Sequence, residues 1–258
     1  MPIYTDQMKR SIQIPEYPQR IVSLVPSQTE LLVDLGLEDR IVGVTKFCVH
    51  PKGLKKQKTI IGGTKNFHFD KIAALQPDLI IGNKEENYQE GIALLEKKYP
   101  VWMSDIYTLE DALVMMKGVG EITGTVAQAD NLIHEISQDM ASLAAQNKGT
   151  AVYLIWKDPL MAAGLQTFIH DMLGRAGFTN LVQESRYPEL SLEDLKTLSP
   201  DFLLLSSEPF PFKQKHIDEF AAQLPKTHVQ LVDGELFSWY GSRLRYFKEY
   251  AKKFPFLS

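Results

Sequence analysis

The chain has 258 residues, of which 44% are hydrophobic and 23% are charged, and its formal net charge is -4. These values are typical of a globular protein and exclude a nucleic-acid binder, which needs clustered Lys and Arg. The single cysteine, Cys48, excludes an intrachain disulfide and a thiolate metal cluster.

The cellular location is left open by the N-terminal sequence. No apolar run approaches the roughly 20 residues that cross a bilayer, and the segment before Ile21 lacks the apolar core and cleavage site of a signal peptide. We expect a periplasmic or cell-envelope protein if a signal has been removed. We expect a cytoplasmic protein if Met1 is the true start.

The first part of the chain alternates strand-like and helix-like segments. Short apolar runs, which are typical of buried parallel strands, predict strands at residues 21–25, 41–45, 78–82 and 101–104. After the first run, Ser27 and Glu30 have the spacing of a capping box, which predicts a helix that ends at Gly36. Further short helices are predicted from Asp70 and over residues 88–98, and a loop is predicted from residue 46 to Phe69.

The middle of the chain predicts one long helix. Residues 109–146 contain no proline and no strand-like run. Within them, apolar residues recur at helical spacing from Leu132 to Leu143. A helix over residues 126–146 would separate an N-terminal lobe, residues 1–125, from a C-terminal lobe, residues 147–258.

The C-terminal lobe repeats the alternation of strands and helices. Strands are predicted at residues 151–156, 202–206 and 228–233. Helices are predicted at residues 168–177, 217–224 and 242–254. The fold class is therefore α/β, with two lobes built on mostly parallel central sheets and joined by a single long backbone helix.

One motif occurs in both lobes. Asp70 begins a short helical pattern that is followed by Pro77, Asp78 and an apolar run, and Glu193 begins the same pattern before Pro200, Asp201 and another apolar run. The acid-to-proline spacing is the same in both copies. An acid in a first helical turn offsets the helix dipole, but the repetition itself predicts two similar α/β lobes.

These segments resemble a known family. PQRIVSLVPSQTELLVDLGLEDRIVGVT, FDKIAALQPDLIIG and LEDLKTLSPDFLLL are similar to the substrate-binding proteins of ABC importers for cobalamin, ferric siderophores and haem, and the likeness covers nearly the whole chain. The resemblance implies two lobes held by a rigid helix, with a metal-chelate ligand bound in the cleft between them. It also implies that the membrane subunits of an importer are the protein partner, and we expect a monomer.

The resemblance assigns a role to the repeated acids. In the family, one acidic residue of each lobe pairs with arginines of the importer, and the matching positions are Asp70 and Glu193. The first is Asp where the family more often has Glu. Simple stabilisation of the helix start stays the alternative for both residues.

Candidate ligand-binding residues lie in loops that follow strands, because ligands of α/β proteins bind beyond the carboxyl ends of parallel strands. Trp239 and Tyr240 are flat rings that suit a macrocycle or a catecholate, and Arg243 suits an anionic ligand. His50 lies in a loop near the same edge. Similarity to cobalamin binders adds Phe47, Met161, Tyr187 and Trp156, but Thr64 and Asn83 stand where cobalamin binders have tryptophan.

Other functions find little support in the sequence. The six histidines are scattered, which argues against a bare-metal site and for a metal carried in its own chelator. GVGEITG at residues 118–124 does not follow a strand, and neither a P-loop nor a G-x-S-x-G motif is present. We therefore expect a binding protein without catalytic residues or a resident cofactor. A cytoplasmic α/β enzyme or a ligand sensor stays the alternative.

Overall fold

The computed structural model describes residues 1–143 and 147–254, and these divide into two compact units. The first unit contains residues 1–106, 110–136 and 240–243. The second contains residues 107–109, the described part of 137–239, and the chain from residue 244. The boundaries predicted at residues 125 and 147 stay predictions.

The first unit is built on a five-stranded parallel sheet with the strand order β5-β4-β3-β6-β7. A separate antiparallel hairpin, β1 and β2, precedes it. The strands are β1 Ile3–Thr5, β2 Ser11–Gln13, β3 Ile21–Ser23, β4 Ile41–Val44, β5 Thr59–Ile60, β6 Leu79–Asn83 and β7 Val101–Ser104. Almost every residue of β3, β4, β6 and β7 is buried, as expected for parallel strands covered on both faces.

Helices connect these strands. They are α1 Pro26–Asp34, α2 Leu54–Gln57, α3 Phe69–Leu75, α4 Gln89–Glu96 and α5 Leu109–Thr123, with a 3-10 turn at Glu38–Arg40. Residues 118–123 of the glycine-containing segment lie inside α5, so this segment is helical and not a nucleotide loop.

The predicted long helix is α6, Val126–Ser142. Its 17 residues extend over about 26 Å at 1.5 Å per residue, and its buried stripe includes Leu132, Ile136 and Met140. The helix belongs to the first unit through Ile136 and to the second from Ser137. Residues 144–146 of the predicted range lie outside the described residues.

The second unit has a six-stranded mixed sheet. Its path is β11-β9-β8-β12-β13, and β10 also pairs with β8. The pairs of β8 with β10, of β8 with β12 and of β12 with β13 are parallel, whereas β9 adds antiparallel pairs to β8 and β11. The strands are β8 Gly149–Trp156, β9 Leu160–Ala162, β10 Phe178–Asn180, β11 Glu189–Leu190, β12 Phe202–Ser206 and β13 His228–Val232.

Five helices belong to this unit besides the end of α6. They are α7 Phe168–Arg175, α8 Leu192–Leu198, α9 Gln214–Gln223, α10 Gly234–Ser238 and α11 Phe247–Ala251. A 3-10 turn at Ser242–Tyr246 has its first two residues in the first unit and the rest in the second. The predicted closing helix is therefore two separate elements. The prediction of an α/β fold with mostly parallel sheets is confirmed.

The repeated motif has the same backbone in both units. The residue after α3, Gln76, and the residue after α8, Ser199, both adopt the left-handed conformation, with φ of 45° and 44°. Asp78 then accepts the backbone N–H groups of Gln19 and Arg20 at 2.8 Å. Asp201 accepts the backbone N–H and the hydroxyl of Thr150 at 2.7 and 2.8 Å. In each unit, the carboxylate of the Pro-Asp pair therefore links the start of its own strand to the start of a neighbouring strand.

The capping box predicted at Ser27 is wrong. Helix α1 begins with Pro26, two residues earlier than a cap at Ser27 would place it, and the fixed φ of proline suits a first helical turn. Val25 is its N-cap and makes no side-chain cap bond. Ser27 is buried within the helix, and the Glu30 carboxylate bonds to Arg243 instead.

Candidate functional site

The carboxyl ends of the five parallel strands meet at one edge of the first unit's sheet. Phe47, in the loop after β4, is 49% exposed there. Its ring lies against Gly63, where an added Cβ would approach Phe47 Cε2 to 3.3 Å. Lys46 Nζ is 4.9 Å from the ring centroid. An aromatic ring held open to solvent at this edge is suited to contact a flat ligand.

The neighbouring Cys48 is buried and structural. Its Sγ lies 3.1 Å from Thr29 Oγ1 and 3.3 Å from Thr45 Oγ1. Burial raises the pKa of the Cys48 thiol, while the bonds from Thr29 and Thr45 act in the opposite direction. A buried thiol with a raised pKa is a poor nucleophile.

Asn83 is a structural residue at the end of β6. Its side-chain oxygen accepts the backbone N–H groups of Glu85 and Glu86 at 2.8 and 3.1 Å, and its Nδ2 donates to Ser104 Oγ at 2.9 Å. The Asn83 side chain is therefore used to shape the loop after β6. Thr64 is likewise nearly buried.

Arg243 forms a bidentate ion pair inside the first unit. Its Nε and Nη2 donate to the two carboxylate oxygens of Glu30 at 2.9 and 2.8 Å, and both side chains are 12% exposed. Burial raises the pKa of Glu30, and the bond and charge of Arg243 only partly offset that shift. The preceding Tyr240 is buried in the same unit, and His50 is half-buried.

In the second unit, Trp156 is the exposed ring at the end of a strand. It is 39% exposed at the end of β8, and its ring meets that of Phe210 edge-on at 5.6 Å between centroids. Its Nε1 donates to the Asp158 carbonyl at 3.2 Å. Met161 lies beside it on β9, where it is the register partner of Trp156.

Trp239 is held by a carboxylate. Its Nε1 donates to Glu208 Oε1 at 2.9 Å, and the Ser238 hydroxyl donates to the same oxygen at 2.9 Å. Burial raises the pKa of Glu208, and these two bonds lower it in part. Trp239 is 8% exposed, so its ring is mostly packed. The sequence did not single out Glu208, because its partners follow it by about 30 residues.

Tyr187 is half-buried in the loop that follows β10. The guanidinium carbon of Arg186 lies 5.5 Å from its ring centroid and 5.6 Å from that of Tyr107, and all three residues belong to the second unit. Sequence reasoning named Tyr187 without these two neighbours. Arg186 could have been found from its position next to Tyr187, whereas nothing in the local sequence points to Tyr107.

The two repeated acids are both exposed at helix starts. Asp70 is in the first turn of α3 and Glu193 in the first turn of α8. The Glu193 side chain is 79% exposed and pairs with Lys196 at 2.7 Å. An exposed pair of this kind contributes little to stability, so the Glu193 carboxylate is available to a partner surface.

The described residues hold no ready-made metal site. Within residues 1–143 and 147–254, no group of three or more His, Cys, Asp or Glu side chains is placed to hold a metal ion. The helices of the same residues include none long and apolar enough to cross a membrane.

Exposed rings at the carboxyl edges of two parallel-stranded units are typical of a small-molecule binding protein. The chain belongs to the family described as Periplasmic binding protein, whose sequence profile matches residues 21–228. Membership of a family of binding proteins confirms the expectation that the chain is not an enzyme.

Similar proteins fall in the same class. An uncharacterized ABC transporter substrate-binding lipoprotein, YvrC of Bacillus subtilis (strain 168), is 26% identical over 77% of this chain and 67% of its own length. A vitamin B12-binding protein of Pectobacterium carotovorum is 23% identical over 88% of this chain and 84% of its own. The crystal structure of a periplasmic heme-binding protein from Pseudomonas aeruginosa has a TM-score of 0.81 at 24% identity, covering 93% of this chain and 95% of that one. The structural similarity to the heme-binding protein confirms the α/β fold.

Proposed function

We propose that this protein is the substrate-binding component of an ABC importer and captures a metal-chelate ligand: cobalamin, a ferric siderophore or haem. The family match over residues 21–228 carries the proposal. The names of similar proteins, which include a substrate-binding lipoprotein and a vitamin B12-binding protein, support it further. We infer the same extracytoplasmic location, in the periplasm or at the cell envelope, and a monomeric state.

The ligand contacts that we propose lie on the strand-end loops of each unit. Phe47 and Trp156 are the most accessible rings there, so they supply the first contacts. We propose His50, Met161 and Tyr187, which are half-buried, as further contacts. Trp239, Tyr240 and Arg243 stay candidates, although each has little exposed area.

A binding screen tests the function and the two rings together. Purified chain is titrated with cobalamin, haem and ferric siderophores, and binding is followed by tryptophan fluorescence and ligand absorbance. We expect one class to bind with a Kd in the micromolar range or below. Phe47→Ala and Trp156→Ala should each raise that Kd by about 10-fold, since a stacked ring contributes about 1–1.5 kcal/mol.

Matched controls are available in both units. Tyr17, which precedes β3, and Tyr246, which lies after α10, are each 54% exposed. Alanine at either position should leave the Kd within 2-fold of the parent value. The proposal fails if no chelate binds. The assignment of the rings fails if the control substitutions weaken binding as much as Phe47→Ala and Trp156→Ala.

We also propose that Asp70 and Glu193 dock the protein on the importer. Two exposed carboxylates, one in each unit, support this role because complementary charges orient a protein on its partner. The double variant Asp70→Ala/Glu193→Ala should keep ligand affinity and lose most transport by the reconstituted importer.

Two other acids in first helical turns serve as a control for docking. Glu90 lies in the first turn of α4 and Glu249 in that of α11, and both are exposed. Glu90→Ala/Glu249→Ala removes the same charge from the same kind of position. If both double variants transport normally, or both fail equally, docking through Asp70 and Glu193 is refuted.

A further inference from the structure

Arg186 is held in an unusual backbone conformation. Its φ is +69°, and that of Gln166, which it contacts, is +55°. Both lie in the left-handed region that residues other than glycine seldom adopt, and such residues cluster at ligand-binding and catalytic sites because the surrounding structure must hold them there. The Arg186 Nη1 donates to the Gln166 carbonyl at 2.8 Å, which joins the two positions.

The surrounding backbone explains why both residues stay in place. Four backbone hydrogen bonds of 2.7 to 3.0 Å join residues 162–165 to residues 184–188, and Arg186 contributes both its N–H and its carbonyl to them. Gly164 is required in this ladder, because a Cβ there would lie 2.0 Å from the Glu184 carbonyl oxygen. The backbone that carries the Arg186 side chain is therefore held firmly in place.

Two tyrosine rings fix the direction of the guanidinium. Its carbon is 5.6 Å from the Tyr107 centroid and 5.5 Å from the Tyr187 centroid, both within cation–π range. The three side chains are half-buried, and they belong to the same unit. A guanidinium that is already ordered loses little side-chain entropy when it binds a ligand.

We propose that Arg186, with the rings of Tyr107 and Tyr187, recognises a carboxylate of the bound chelate, so the ligand is an anionic, carboxylate-bearing metal complex. This inference rests on the proposed function and narrows it. A guanidinium matches a carboxylate in a bidentate geometry that an ammonium cannot reproduce.

The test compares ligands that differ in their carboxylates. The purified full chain is titrated with haem, haem dimethyl ester, ferric citrate, a neutral ferric hydroxamate and cobalamin. We expect a carboxylate-bearing chelate to bind more tightly than the neutral ones. If that chelate is haem, esterification of its propionates should cost at least about 10-fold in Kd; binding of ferric citrate alone would assign the carboxylates to a siderophore.

The variants test the residue itself. Arg186→Gln should raise the Kd of the carboxylate ligand by about 30-fold, because it removes hydrogen bonds to a charged group. Arg186→Lys should restore only a small part of the affinity. Arg245→Gln is the matched control, since Arg245 lies in the same unit 5.9 Å from the ring of Tyr246. It should leave the Kd within 2-fold.

Each outcome bears on one of the two proposals. Tight binding of a carboxylate chelate that Arg186→Gln does not weaken overturns the inference, and so does binding of neutral chelates alone, which leaves the proposed function standing. If no chelate binds, the proposed function fails and the inference fails with it. Circular dichroism and thermal melting of Arg186→Gln establish that a lost affinity is not lost folding.

Discussion

Each unit contains a half-buried carboxylate near the carboxyl edge of its sheet, and the two are stabilised differently. Glu30 of the first unit has a bidentate arginine. Glu208 of the second unit accepts two neutral donors, Ser238 and Trp239. Burial raises the pKa of both carboxyls. The difference shows that a half-buried acid near a sheet edge can be stabilised either as half of an ion pair or as the acceptor that holds a ring in place.

Removal of the Arg243 guanidinium should have the largest effect on stability. Arg243→Met leaves the Glu30 carboxylate, which is 12% exposed, without its cationic partner. We expect a loss of about 3 kcal/mol in the free energy of unfolding at pH 7, because a buried charge without its partner keeps its full desolvation cost. Urea unfolding of the purified protein measures this loss.

A second ion pair serves as a control for the effect of burial on that loss. Arg175→Met breaks a more exposed ion pair with Asp171 in the second unit and should cost less than about 1 kcal/mol. The double variant Glu30→Gln/Arg243→Met should recover much of the lost stability. Equal losses from the two single variants would mean that burial of the Glu30–Arg243 pair is irrelevant.

The Pro-Asp anchors should give intermediate and equal effects. Asp78→Ala and Asp201→Ala each remove two hydrogen bonds to the start of a neighbouring strand. We expect each to cost about 2 kcal/mol, since bonds to charged groups contribute about 1.5–3 kcal/mol. Thermal melts of both variants check whether the repeat has one structural role; a loss confined to one of them would contradict this.

The two helix starts should respond unequally. Ser191 caps α8 by accepting the Asp194 backbone N–H in a complete capping box, whereas His68 makes no side-chain cap bond at the start of α3. Ser191→Ala should therefore cost about 1 kcal/mol, and His68→Ala should be nearly neutral. Chemical denaturation distinguishes the two, and a neutral Ser191→Ala would show that this cap is dispensable.

The smallest effect is expected from Glu208 and depends on pH. Because its folded-state pKa is raised, the folded chain binds this proton more tightly than the unfolded chain does, and the acid form stabilises the fold at low pH. Glu208→Gln should thus be more stable than the parent at pH 7, by about 1 kcal/mol or less, since Glu208 is only half-buried and solvent screens its charge.

The pH series supplies the check on Glu208. As the pH falls through the folded-state pKa towards the usual carboxyl value near 4.3, the stability of the parent should approach that of Glu208→Gln. Parallel stability curves for the parent and the variant from pH 7 to pH 4 would contradict a raised pKa. The amide oxygen of glutamine can still accept from Ser238 and Trp239, so the variant tests charge rather than hydrogen bonding.

The sequence predicted the longer parallel strands well and the shortest strands poorly. Runs such as residues 101–104 and 202–206 are apolar up to a final serine, and they form β7 and β12. Strands β9, β10 and β11 have two or three residues each, too few for a periodic pattern. β9 and β10 pair with the eight-residue strand β8, and among the described strands β11 pairs only with β9.

The site was harder to predict because its side chains are positioned by distant partners. Phe47 and Trp239 look alike in sequence, as aromatic residues in strand-end loops. Trp239 is packed because Glu208, 31 positions away, accepts its N–H. The ion pair of Arg243 could not be predicted, because its partner Glu30 is 213 positions away. Local spacing cannot reveal contacts of that range, and the same limit produced the erroneous capping box at Ser27.

The ion pair of Glu30 with Arg243 also affects the order of folding. The first unit incorporates residues 240–243, where Gly241, at a φ of +147°, lets the backbone come so near α1 that a Cβ would lie 3.1 Å from the Ser27 carbonyl oxygen. During synthesis, domains generally fold from the N-terminal end as they emerge. Here the N-terminal unit stays incomplete until nearly the whole polypeptide has left the ribosome. Nascent chains that stop before residue 240 should therefore be cleaved by proteases at sites in the N-terminal unit.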